Sequence, residues 1–284
     1  MQKKIIALGA SLFFLISAFA ASTDLPEPAE NPCRDTPVIE KSKQQAGFKI
    51  TLGHAGDFLC HFVEVKKQNR VVYRDEEIGS HYYFGANPDR EETPFMRLGK
   101  GGHLTLTISK WSGGAHCCFT LKIFDLDDGF RSLADVAGGS FIPLLKDIDG
   151  DGIPEIEVED DFLAYRFASF ATSATGHIIL KYRNGRYEVA TELMRKAPSF
   201  LLTANNKKVE FWQKELSHAA ESEFPQPFLQ AITDLIYSGN KNSALNLIDR
   251  VWPKDRQGKD SFVKAYEEAL RDSRFYPELE KRIL

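Results

Sequence analysis

The sequence changes its period once, near Thr191, and that change limits the fold more than any other feature. From Phe48 to about Ala190 the apolar residues fall on alternate positions or in short runs rich in β-branched and aromatic side chains. "FKITL", "FLCHFVEV" and "RVVYR" read as strands, and "HLTLTIS" places Leu104, Leu106 and Ile108 on one face. "VKKQNRVV" reads as a hairpin. Further strand pairs flank Asp128-Gly129 and Asn184-Gly185. Asn-Gly supplies the two positive φ angles of a two-residue hairpin turn, which makes the second of these the stronger signal. After Thr191 the spacing becomes helical. "KKVEFWQKEL" opens a series of amphipathic segments. "PFLQAITDLIYSG" sets Phe228, Ile232, Leu235 and Ile236 on one stripe between Pro227 and Gly239. "NSALNLIDRVWP", "DSFVKAYEEALRDS" and "YPELEKRIL" follow. Strands first and helices second predict an α+β chain. The expected organisation is a β-rich domain over 47–192 and a helical region over 193–284.

The first twenty residues are expected to lie outside that fold. Lys3 and Lys4 precede an apolar run from Ile5 to Phe19, and Ala18-Phe19-Ala20 has the small-x-small form of a cleavage site. This is the pattern of a secretory signal peptide, and the run is short for a spanning helix. Residues 21–46 carry four prolines and read as an extended leader. The expected location is the periplasm or the extracellular space, with no membrane span after cleavage. Removal of the two lysines takes the formal charge from −4 to −6. A chain without a basic face is a poor partner for nucleic acid.

An exported chain with four cysteines is expected to form disulfides. Cys33, Cys60, Cys117 and Cys118 allow three connectivities. A bond between the neighbours Cys117 and Cys118 asks for Cα atoms closer than disulfides prefer. The favoured reading therefore joins Cys33 and Cys60 each to one of the neighbours. Cys33–Cys60 with a Cys117–Cys118 pair is the alternative.

"DIDGDGIPE", Asp147 to Glu155, places four carboxylates in nine residues. Counted from Asp147, oxygen ligands fall at positions one, three and five (Asp147, Asp149, Asp151), a backbone carbonyl at seven (Ile153), and a carboxylate at nine (Glu155). Calcium takes six to eight oxygens, and Gly150 and Gly152 let the chain wrap closely enough to aim them. An EF-hand does not fit. Its bidentate glutamate at position twelve is here Val158, and the alternation of Ile156 and Val158 with acids predicts a strand, not a helix. The run resembles the calcium loops of FG-GAP and VCBS-type repeats. That resemblance implies propeller-blade sheet units, calcium as cofactor, and Asp147, Asp149, Asp151, Ile153 and Glu155 as its ligands, in a structural role. With "WSGGAHCCF" upstream, the stretch from about Leu104 to Met194 is similar to a group of uncharacterised bacterial exported proteins with such units.

A weak internal repeat agrees. A shift of 50 residues lays Gly102 on Gly152, Leu106 on Ile156 and Ile108 on Val158, and Gly129 falls near Gly185 at a shift of 56. In the first copy the three aspartates are replaced by Arg97, Gly99 and Gly101, so one calcium is expected, not two.

No nucleophile elbow, phosphate loop or dinucleotide fingerprint is present. His116 next to Cys117 reads as part of a structural turn, because neighbours on a strand point to opposite faces. His54, His61, His81, His103 and His177 show no tight ligand spacing. "LIYSGNKNSALNLIDRVWP" resembles one tetratricopeptide-type helical pair, and a helical cap on the sheets is the favoured reading. Phe162, Tyr165, Phe167 and Phe170 form an aromatic insert, expected to be buried between sheet units, with a surface for a ligand or for a protein or glycan partner as the alternative. The expectation is a non-enzymatic binding or envelope-associated module. A hydrolase built around Asp160, Asp161 and the insert is the alternative.

Overall fold

The computed structural model describes residue 33 and residues 36–56, 60–90, 92–115, 117–197, 207–220 and 223–282. The signal-peptide reading and most of the leader lie outside the described residues, as does His116. Three antiparallel sheets are followed by helices. The first sheet has the order β1-β2-β3-β4, with β1 Val38–Gln45, β2 Phe48–Ala55, β3 Cys60–Lys67 and β4 Arg70–Ile78. The second runs β5-β7-β8-β9, from β5 His81–Phe84 through β7 Leu104–Gly114 and β8 Cys117–Asp125 to β9 Arg131–Gly139, and β6 Phe95–Arg97 also pairs with β7. The third is the meander of β10 Leu144–Lys146, β11 Glu155–Asp160, β12 Gly176–Arg183 and β13 Arg186–Val189. Strand β1 falls within the stretch read from sequence as a leader. Its side chains are all exposed, so it carries no burial pattern, and only its pairing with β2 makes it a strand.

The turns explain the meanders. Asn184-Gly185 joins Arg183 to its cross-strand partner Arg186 with φ of 51° and 84°. Gln68-Asn69 does the same between Lys67 and Arg70 with φ of 47° and 65°. Positive φ at both central residues matches the right-handed twist of the flanking strands.

The second sheet is the middle layer. Leu104, Leu106, Ile108 and Phe124 pack with Phe48, Ile50, Leu52, Val63 and Val65 of the first sheet. From the opposite face of the same sheet, Leu121, Ile123, Leu133 and Val136 join Ile156, Val158 and Ile178 of the third sheet and the helices in a larger core. Burial on both faces makes β7 buried from Leu104 through Ser109.

The helices are α1 Thr191–Met194, α2 Val209–His218, α3 Gln226–Tyr237, α4 Lys241–Val251, α5 Lys259–Arg271 and α6 Tyr276–Arg282. The stripe of Phe228, Ile232, Leu235 and Ile236 is buried as its spacing predicts. Gly239, at φ 83°, ends α3, and the buried Ala244 lets α4 pack closely against it. The helical region is a cap sharing the third sheet's core. No helix among the described residues is long and apolar enough to cross a membrane.

Candidate functional site

The acidic loop connects β10 to β11, whose hairpin begins at Lys146 paired with Glu155. Pro154 and the alternating Ile156 and Val158 force the chain out of the loop into a strand, with both apolar side chains fully buried. The loop satisfies its own backbone. Asp147 accepts from the N–H groups of Gly150 (2.8 Å) and Gly152 (3.1 Å), Asp149 from Asp151 (3.3 Å), Asp151 from Ile153 (2.8 Å), and Glu155 from Ile148 (2.8 Å). Tyr187 of β13 donates to the Pro154 carbonyl at 2.9 Å and fixes the loop's far end.

The carboxylates converge. Asp147, Asp149 and Asp151 are exposed, with one oxygen from each lying within 4.8 Å of the others. Glu155 is buried. A cationic side chain that the sequence reading did not single out closes the group. Lys181, on β12 next to Leu180, has its Nζ 2.5 Å from Asp149 Oδ2, 2.6 Å from Asp151 Oδ2 and 2.9 Å from Glu155 Oε1. Desolvation works against the ammonium, the three carboxylates outweigh it, and the Lys181 pKa is raised. The same ammonium, with the Ile153 N–H, holds the Asp151 carboxyl below the ordinary carboxylate value. Four formal negative charges against one positive leave −3 in the loop. Like charges held this close repel one another, the more so at the buried Glu155. Asp147, Asp149, Asp151 and Glu155 are the side chains that could hold a hard cation in place of the Lys181 ammonium.

Lys181 had no legible signal in sequence, since it lies 26 residues from Glu155 and reaches the loop only through the β11–β12 pairing of Ile156 with Leu180.

The other readings separate. Asp160 is buried, and its Oδ2 accepts from Tyr237 (2.6 Å) and Ser273 (2.5 Å). Desolvation raises its pKa. Asp161 accepts from the Ser140 N–H and hydroxyl and from Arg274. Both acids tie the third sheet to its neighbours through these polar contacts. Phe162 stacks on Tyr237 with centroids 5.8 Å apart, and Phe167 lies against Phe224, Phe262 and Tyr266, whereas Tyr165 is exposed. The insert therefore packs on the helices more than between sheets. His103 contacts Asp125 at 2.9 Å and His177 contacts Glu159 at 3.2 Å. His54, His61 and His81, scattered in sequence, come together on neighbouring strands.

The cysteines pair as Cys33–Cys60, with Cα atoms 5.2 Å apart, and Cys117–Cys118. This is the connectivity given as the alternative, not the favoured one. Cys60 is buried at the head of β3 in the first sheet, and Cys117 is exposed in the β7–β8 hairpin of the second.

No family model matches the chain, and no solved structure matches it. The "Uncharacterized protein y4bJ" of Sinorhizobium fredii is 27% identical over 146 residues, 49% of this chain. The chain spans about a fifth of that relative's length, the match covering 22% of it.

Proposed function

We propose that the chain is an exported calcium-binding protein, a binding or envelope-associated module without catalysis of its own, in which the metal is structural. Asp147, Asp149, Asp151, the Ile153 carbonyl and Glu155 are the calcium ligands. The observation that supports this reading is the convergence of the loop's carboxylates on the Lys181 ammonium with an excess of negative charge around it. A loop that already holds one cationic group is organised for cations, and the remaining charge favours a divalent one. Calcium entry requires Lys181 to swing outward, so the lysine acts as a tethered competitor that keeps the loop folded when calcium is scarce. Calcium would supply charge neutralisation and cross-linking of the loop. The four-stranded antiparallel meander β10–β13 is the unit to which the FG-GAP and VCBS resemblance would apply, and the amino-terminal apolar run supports export to the periplasm or beyond.

The test is calcium titration into metal-stripped protein, followed by melting temperature. A rise at millimolar calcium that Asp149→Ala abolishes is expected. An unchanged melting temperature, with magnesium and calcium alike, overturns the reading.

A further inference from the structure

The other concentration of ligand-type side chains lies in the first sheet and at its junction with the second. His54 and His61 face each other across β2 and β3 as register partners, with ring centroids 5.9 Å apart. His61 in turn lies against His81, the first residue of β5, at 4.2 Å. The carboxylate comes from β1. The register of β1 on β2 shifts between Ile39 and Lys41, so Glu40 is the bulged residue. A bulge re-aims a side chain that regular alternation would send elsewhere. Here the Glu40 Oε1 lies 2.7 Å from His54 Nδ1 and 3.9 Å from His61 Nδ1. Four strands thus deliver three imidazoles and one carboxylate to one place.

Two further features point to a ligand. His61, His81 and Glu40 line a cavity of about 190 Å³, whose wall also carries the acids Asp89 and Glu92 and the bases Lys41 and Arg90. His81 Nδ1 is buried and has no hydrogen-bond partner. An unsatisfied buried polar atom costs about 1–3 kcal/mol, so its retention calls for an explanation. A lone pair directed at a bound cation is one that the neighbouring donors share.

We propose that His61, His81 and Glu40 form a binding site for a divalent transition metal of the zinc class, with His54 holding the Glu40 carboxylate in place. Imidazole nitrogen with carboxylate oxygen is a donor set for zinc, nickel or copper, and hard calcium does not select it. The His54–Glu40 contact has the form of an outer-shell pair, a histidine N–H orienting a ligating carboxylate. The imidazoles ligate as neutral bases. Binding requires the His61 and His81 rings to turn, because their nitrogens and the Glu40 oxygens do not all lie within 4.8 Å of one another as the side chains stand. A metal there would clamp the first sheet to the second beside the Cys33–Cys60 disulfide, independently of the acidic loop on the third sheet.

The experiment is calorimetric titration of zinc chloride into untagged, metal-stripped full chain with its disulfides intact. One equivalent is expected to bind with micromolar or tighter affinity. His81→Phe keeps a ring against His61 and removes the nitrogen; it is expected to weaken binding by about 100-fold or more, beyond the 10–100-fold typical of outer-shell changes. His54→Phe is expected to weaken it less. Asp149→Ala is expected to leave zinc binding unchanged, which separates this site from the calcium loop. Cobalt titration gives a second readout: visible bands of a nitrogen–oxygen site in the wild type, lost in His81→Phe. Absence of zinc binding at micromolar concentrations, or binding that a folded His81→Phe variant retains in full, overturns the proposal.

Discussion

Two hairpins, β6–β7 and β10–β11, occupy the same place in successive sheet units and carry opposite charge logic. In each, a three-residue strand turns through a glycine-containing loop into a long buried strand: Arg97 pairs with Leu104, and Lys146 with Glu155. The next strand then pairs alike, Leu106 with Phe124 and Ile156 with Leu180. One residue beyond each matched pair lies a charged side chain, Asp125 in the first unit and Lys181 in the second. The first hairpin puts its bases on the loop side, with His103 on Asp125 and Arg97 near Asp127, and Arg131 completes the cluster. The second puts its acids on the loop and its base on the strand. Asp125, Asp127 and Asp128 against Arg97 and Arg131 leave a formal −1, compared with −3 around Lys181. The loops touch, since a Cβ on Gly99 would lie 3.1 Å from Ile153. The two hairpins thus carry opposite polarity, and the larger excess of negative charge lies at the second.

The largest effect is expected from removing the internal cation. Lys181→Met leaves the buried Glu155 charge beside two aspartates, and loss of one partner of a buried ion pair costs about 3–5 kcal/mol. Urea unfolding in chelator should show that loss. Saturating calcium should restore most of it, and the variant should bind calcium more tightly than the wild type. If calcium restores nothing, the two cations do not share a site.

Truncation of the matched core positions is next. Leu106→Ala and Ile156→Ala each remove a fully buried side chain, for which about 2–5 kcal/mol is typical. Similar losses in the two hairpins, by urea midpoint, would support their equivalence as packing units.

Asp160 gives a smaller effect with a defined sign. Its folded pKa is raised above the ordinary 3.8, so the stability linked to the protonated acid is full below that value and is lost as pH rises through the folded value. Asp160→Asn mimics the neutral form and still accepts from Tyr237 and Ser273. It is expected to be neutral or stabilising at pH 7. Asp160→Leu orphans both hydroxyls and is expected to cost about 1–3 kcal/mol. The depressed carboxyls of Asp125 and Asp151 run the other way, with contributions present above 3.8 and lost as pH falls through their folded values. Melting temperature against pH should show Lys181→Met losing the Asp151 part of that acid limb and keeping the Asp125 part.

The smallest effect should come from grafting acids onto the first loop. Arg97→Asp with Gly99→Asp and Gly101→Asp copies the three aspartates, yet the residue matching Glu155 is Thr105, and Gly99 abuts Ile153. A calcium stoichiometry above one would show that the acids alone suffice.

Several features were written into local sequence. The Asn184-Gly185 turn, the alternating β7 face and the stripe on α3 follow from backbone preferences and side-chain period, which act within a few residues. The acidic loop, and the strand after it, were legible for the same reason: Gly150, Gly152, Pro154 and the carboxylates each act locally. Other features depended on which strands meet. Lys181 became a partner of the loop only through register, Glu40 joined the histidines only through a bulge, and Cys33 met Cys60 across 27 residues of chain. Strand β1 had no burial signal at all. The sequence by itself determined the order of strands then helices and the chemistry of one loop, because those are short-range. The charge balance at that loop, the disulfide pairing and the histidine cluster were decided by the tertiary structure, because pairing between distant strands sets which side chains share a site.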